Sequence, residues 1–207
     1  MAGTMAVPES ISLAETSDES FFATACYLLS SRNLSFISVW SPTFGLSLLQ
    51  FIQEHRTDLQ QVLIQGYWPD KYLGLKKIAC PMNSESAEIM AHWDGVIDAN
   101  FTQKIWPNLA LISAWDTSSS KIWASKLQSL FPHCEFQGKG LWATEGVITI
   151  PLNNKYPLAI NSHFYEFEDL DTHEILASWQ LIMGQNVRPI ISSSNGLLRY
   201  AMKDHLR

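Results

Sequence analysis

The chain has 207 residues, with 14 Lys and Arg against 20 Asp and Glu, for a formal charge of −6. That acidic balance, with no basic stripe anywhere, excludes a nucleic-acid partner, because phosphate-backbone binding needs clustered Lys and Arg. Charged residues make up only 16% of the chain while 46% are hydrophobic, against roughly 25% charged in an ordinary soluble domain, so much of this chain expects to be covered.

Residues 1–20 are small, polar and acidic, and read as a flexible, unanchored lead-in. Phe22 to Leu29 predicts a short apolar helix, and Leu34 to Trp40 a strand that stops at Ser41-Pro42. Phe44, Leu48, Phe51 and Ile52 then share one helical face. The stretch from Ile64 to Asp98 is less regular, with a turn-rich aromatic patch at Gly66 to Asp70 and a further helix predicted over Ala87 to Trp93. Leu109 to Trp115 is a nearly continuous apolar run, as in a buried parallel strand. Ser118 or Ser119 caps a following helix whose Trp123, Leu127, Leu130 and Phe131 again fall on one face, with Pro132 ending it.

Beyond residue 134 the period becomes alternating. Cys134 to Phe136, Val147 to Ile150, Ala159 to Phe167, Val187 to Ile191 and Leu197 to Met202 predict strands, separated by Gly, Asn and Ser turns. A soft boundary falls near residue 137, giving an α/β portion over 21–137 and a β-rich portion over 138–207. The acidic residues Glu166, Glu168, Asp169, Asp171 and Glu174 read as a solvated loop.

Cys26, Cys80 and Cys134 are odd in number, far apart and without CxxC spacing, so neither a disulfide framework nor a zinc site is indicated and a reducing, cytoplasmic setting fits. His133, His163 and His173 are too scattered for a metal constellation. No apolar run approaches the ~18–20 residues a membrane helix requires, so no membrane partner is expected.

The chemically informative stretch is Phe136 to Gly146, FQGKGLWATEG. Its glycines allow close backbone approach, and Thr144 beside Glu145 pairs a hydroxyl able to donate a hydrogen bond to a phosphate oxygen with a carboxylate of the kind Mg²⁺ prefers. By composition alone a plain hairpin is the leading reading of such a segment. The longer run from Phe136 to Phe167 resembles the second nucleotide-binding region of the Gretchen Hagen family of auxin-responsive acyl-acid amido synthetases, in the adenylate-forming superfamily. Phe36 to Phe44, Trp106-Pro107-Asn108 leading to Ile112 to Trp115, and Gly196 to Tyr200 extend the resemblance over roughly residues 21–207, nearest the family's bacterial branch.

The resemblance implies the central part of a large N-terminal α/β domain, an α/β layer followed by a β-rich subdomain. It implies ATP and Mg²⁺ as cofactors, a small carboxylic acid and an amino acid as substrates, and an acyl-adenylate that becomes an amide. Thr144 and Glu145 take the phosphate and metal role, and Leu141 stands where the family often places an aromatic residue against adenine, with Trp142 as a substitute. Leu198 to Asp204 partly matches the family's third motif, retaining Arg199, Tyr200 and the ribose-binding Asp204, while Leu198, Ala201 and Lys203 depart from it. The family's first phosphate loop and its mobile C-terminal domain have no counterpart here, so weak turnover or none is expected from this chain alone. A complementary chain or self-association would then complete it; the alternative is a non-catalytic module that acts through protein contacts, to which the eight tryptophans lend apolar surface.

Overall fold

The computed structural model describes residues 5–153 and 155–207. Contacts divide the chain into two compact units, Met1–Gln137 and Gly138–Arg207.

In the first unit, α1 (Ser17–Ser30) begins at a capping box: the Thr16 hydroxyl accepts from the Glu19 amide at 3.2 Å, and Glu19 accepts from the Thr16 amide at 3.2 Å. Glu19 is buried, and its carboxylate also accepts the Glu15 and Gly74 amides at 3.1 and 2.8 Å. The expected unanchored lead-in is thus tied down in its later half, since a 3₁₀ turn over Glu9–Leu13 also buries Ile11. The exchange of hydrogen bonds between Thr16 and Glu19 is a local code that a composition argument overlooks.

Strand β1 (Phe36–Ser38) leads into α2 (Pro42–Glu54), with Pro42 at its first turn and the Ser41 hydroxyl accepting the Thr43 amide at 3.3 Å. Two helices escaped the periodicity, α3 (Arg56–Gln65) and α5 (Ala99–Ile105), flanking α4 (Ser84–His92). The first shows only Leu59, Val62 and Leu63 to the core among polar residues, and the second is seven residues long, too short for a repeating face. β2 (Leu111–Ala114) pairs parallel with β1, Ile37 opposite Ile112, and is central in the order β1-β2-β3. β3 is Glu135–Gly138.

Neither Ser118 nor Ser119 caps α6 (Lys121–Ser129); Ser118–Ser120 forms a 3₁₀ turn without a side-chain cap, and Ser118 has φ 50°. Trp123 is 45% exposed, whereas Ala124 and Leu127 carry the buried face. Trp68, Trp93 and Trp106 are core residues, each donating its indole N–H to a backbone carbonyl: Ile78, Val96 and Leu28, at 2.8, 2.7 and 2.8 Å. A buried indole needs that acceptor, and here the backbone supplies it.

The second unit carries an antiparallel sheet ordered β5-β4-β6-β7. Its strands are β4 (Phe164–Asp169), β5 (Ile175–Ala177), β6 (Val187–Ser192) and β7 (Tyr200–Ala201), with Phe167 opposite Pro189 and Ile191 opposite Tyr200. Tyr165, Phe167, Val187, Ile191 and Met202 bury one face together with Ile148. The acidic run is a solvated loop only at Asp171 and Glu174, which are exposed between β4 and β5; Glu166, Glu168 and Asp169 belong to β4. Alternation turns Asp169 inward, where it accepts the Asp171 and Thr172 amides at 2.8 and 2.9 Å and the Gln185 amide group. Glu166 and Glu168 face Arg199 and Arg188 instead. Val147 to Ile150 forms only isolated bridges, Trp142 with Val147 and Thr149 with Leu158, in place of the expected strand. Among the described residues no helix is long and apolar enough to cross a membrane.

Candidate functional site

The sequence around Thr144 closes a tight hairpin turn. The Ala143 amide donates to the Gly146 carbonyl at 3.0 Å and the Gly146 amide to Ala143 at 3.2 Å, which leaves Thr144 and Glu145 at the tip. Two glycines permit this path. Gly140 has φ 67°, and a Cβ there would lie 2.3 Å from the Thr149 hydroxyl, which accepts the Leu141 amide at 2.8 Å. At Gly146 a Cβ would lie 2.4 Å from Nε2 of His163, so this ring packs directly on the turn.

At the tip the Thr144 hydroxyl donates to Oε2 of Glu145 at 2.9 Å. From β7, 55 residues further on, the Tyr200 hydroxyl donates to Oε1 of the same carboxylate at 3.2 Å. Glu145 is half-buried and Thr144 exposed. The Glu145 carboxyl is held below the usual carboxylate range, first by its own backbone N–H and then by Thr144, with Tyr200 and the Lys203 ammonium adding to the effect. Conversely, the Tyr200 phenol is pushed up by the hydrogen bond to Glu145 and by its charge. The arrangement is therefore an ionised carboxylate with one hydroxyl on each oxygen.

Of the other residues singled out from sequence, Leu141 is half-buried and packs against the second unit's core. Trp142 donates its indole N–H to the Thr149 carbonyl at 2.8 Å, and the Lys139 ammonium stands 5.0 Å from its ring centre. Arg199 directs its guanidinium fork to Glu166 at 2.8 and 3.0 Å. Asp204 is exposed, and its carboxylate makes no hydrogen bond or ion pair among the described residues. The structure thus brings together Thr144, Glu145 and Tyr200, and among the described residues links neither the Arg199 nor the Asp204 side chain to theirs by a hydrogen bond or ion pair.

Three neighbours were not singled out for the site. Lys139 is 5% exposed, and burial pushes its ammonium pKa down; a lysine between two glycines gives no sign in sequence that it turns inward. His163 keeps a buried Nδ1 without a hydrogen-bond partner, and its contact with Gly146 is purely tertiary. Lys203, read from sequence as a departure from the motif, lies close enough to Glu145 to favour its charge.

The donor set suits Mg²⁺ shared with a phosphate. No group of three or more His, Cys, Asp or Glu that could hold a metal occurs among the described residues. Mg²⁺ is commonly bound by one or two carboxylates plus waters and substrate phosphates, with no cage made of protein alone. Each Glu145 oxygen accepts one side-chain hydroxyl, and with about four lone-pair sites on a carboxylate there is capacity left for a cation.

Residues 2–136 match the model of the GH3 family N-terminal domain, and residues 156–207 that of the GH3 family central domain. Among solved structures, a GH3.15 acyl acid amido synthetase is similar over 98% of this chain and 39% of that chain, with a TM-score of 0.82 at 17% identity. A second, AtGH3.15 acyl acid amido synthetase in complex with 2,4-DB, has a TM-score of 0.78 at 18% identity over 94% of this chain and 36% of that one. At these identities the likeness is one of fold. The chain spans less than two fifths of the length of these solved structures. No curated protein matches.

Proposed function

The chain belongs to the GH3 family, and from that premise we propose that it is part of an ATP-dependent acyl-acid amido synthetase. In such a reaction a carboxylate oxygen attacks the α-phosphorus of ATP and expels pyrophosphate; an amino acid's amine then attacks the acyl carbon, and AMP leaves. Thr144, whose one O–H is given to Glu145, stands beside the phosphates and holds that carboxylate, and Glu145 is the group offered to Mg²⁺, which would supply neutralisation of phosphate charge when bound. Leu141 or Trp142 lies towards adenine, with Arg199 and Asp204 towards the nucleotide, while Tyr200 reaches this site through its hydrogen bond to Glu145.

The observation that carries this reading is the hydroxyl pair on Glu145: an ionised carboxylate aimed by two hydroxyls at the tip of a glycine-bounded turn. Structural carboxylates are usually spent on an Arg, a Lys or several amides, as Glu166 and Asp169 are here. Calorimetric titration of the chain with ATP and Mg²⁺ tests the assignment. The expected result is binding that Glu145→Ala and Asp204→Ala both weaken, whereas a folded chain that evolves no heat with ATP would sink the reading.

A second reading, a module that works through protein contacts, draws on side chains of the second unit that face outward, Trp179 at 83% and Ile182 at 72% exposed. Light scattering discriminates: a monomer across the micromolar range, combined with nucleotide binding, favours the ligase reading.

A further inference from the structure

We infer that Tyr200 is a positioning residue which acts on the cation through Glu145. This rests on the reading of Glu145 as the Mg²⁺ carboxylate, and it differs from the resemblance, which sets Tyr200 directly against the nucleotide. The phenol is committed: its hydroxyl donates to Oε1 of Glu145 at 3.2 Å while Thr144 donates to Oε2 at 2.9 Å. One hydroxyl on each oxygen fixes the carboxylate plane, which the free torsions of an isolated Glu side chain leave undefined. Thr144 alone, the immediate sequence neighbour, holds one oxygen; the second point must come from elsewhere in the fold.

Tyr200 is itself well placed for that work. It is half-buried against the core of its unit and sits opposite Ile191 in the sheet. The preceding Arg199 is pinned by its fork on Glu166. The phenol is therefore carried on a strand and directed at a turn 55 residues earlier. Mg²⁺ demands near-ideal octahedral geometry, so a carboxylate already aimed binds it better than a mobile one. Loss of a hydrogen bond to a ligating group typically costs 10–100-fold in metal affinity.

The test is calorimetry of the 207-residue chain with ATP in EDTA and with ATP plus Mg²⁺, using wild type, Tyr200→Phe, Glu145→Gln and the double variant. Tyr200→Phe keeps the ring, and an unchanged thermal midpoint certifies the fold. The expected result is a loss of about tenfold or more in Mg²⁺-dependent affinity, no change in metal-free ATP affinity, and no further loss when Tyr200→Phe is added to Glu145→Gln. Equal weakening of ATP with and without Mg²⁺ would make Tyr200 a nucleotide contact and overturn the inference. If wild type and Tyr200→Phe bind alike while Glu145→Gln is weakened, the inference fails and the function stands. If wild type binds no MgATP, both fall.

Discussion

Arg199 lays its guanidinium fork across Glu166, Nε to Oε2 at 2.8 Å and a terminal nitrogen to Oε1 at 3.0 Å, and so links the residue entering β7 to the outward face of β4. Arg199 sits at φ 47°, a left-handed backbone that non-glycine residues adopt uncommonly. The Arg199 side chain is 64% exposed, so the pair is a solvent-screened one. Each of Arg199→Ala and Glu166→Ala should lower the unfolding free energy by at most about 1 kcal/mol. The double variant should cost no more than the larger single loss. Urea denaturation measures this, and full additivity would show that the fork contributes nothing.

Glu19 is the opposite case, a buried carboxylate with no cation. It accepts the amides of Glu15, Thr16 and Gly74, and so joins the start of α1 to the 3₁₀ turn Leu73–Lys77. Glu19→Ala leaves those partly buried amides without their shared acceptor. A loss of about 3 kcal/mol or more in urea unfolding is expected, from hydrogen bonds to charge of roughly 1.5–3 kcal/mol each. A loss under 1 kcal/mol would mean that water replaces the carboxylate at little cost.

Gly140 is required by its path. An added Cβ would meet the Thr149 hydroxyl at 2.3 Å and the Tyr156 ring at 2.8 Å, on a backbone already at φ 67°. Gly140→Ala should cost roughly 1–3 kcal/mol from overpacking alone. Because Thr149 then releases the Leu141 amide, the turn bearing Thr144 and Glu145 should shift as well. Backbone amide shifts over residues 141–149, compared between the two proteins, check the second effect; unchanged shifts there would refute it.

Burial pushes the thiols of Cys80 and Cys134 up to about 11, and that of Cys26 well above its ordinary value. Cys134 also donates to the Leu109 carbonyl at 2.9 Å. All three should resist iodoacetamide at pH 7.5 in the native state and react once unfolded, because the thiolate is the nucleophile. The sign of the linkage follows from the raised values. The protonated thiol is favoured in the folded state, so its contribution is complete below the unfolded value of about 8.5 and is lost as pH climbs towards 11. Fast native labelling of Cys134 at neutral pH would contradict this.

Asp169 shifts the other way. The Gln185 side chain, followed by the Thr172 and Asp171 amides, holds its carboxyl below the usual range. A lowered folded value gives stability that is present above the unfolded pKa of about 3.9 and is lost as pH falls through the folded value. Asp169→Asn should therefore flatten the acid limb of the stability curve below the unfolded pKa of about 3.9, as followed by thermal midpoints. An unaltered acid limb would place the acid sensitivity elsewhere.

Local pattern alone determined much of this protein. The spacing of Phe44, Leu48, Phe51 and Ile52 foretold α2, the apolar run at Leu109 foretold β2, and the change of period near residue 137 falls where the two units divide. These features are encoded over a few residues, because a helical face or a buried strand must repeat at its own period to bury anything. The order of motifs, from Phe36 to Tyr200, likewise sufficed to point to the family. Tertiary structure decided what no period records: that Glu166, Glu168 and Asp169 lie on a strand with Asp169 facing inward, that Ser118–Ser120 is a turn without a cap, and that Lys139 is buried. It decided the site as well. Tyr200 meets Glu145 and Arg199 meets Glu166 across 55 and 33 residues, and which carboxylate each takes depends on strand register, which is fixed only when the sheet buries its face.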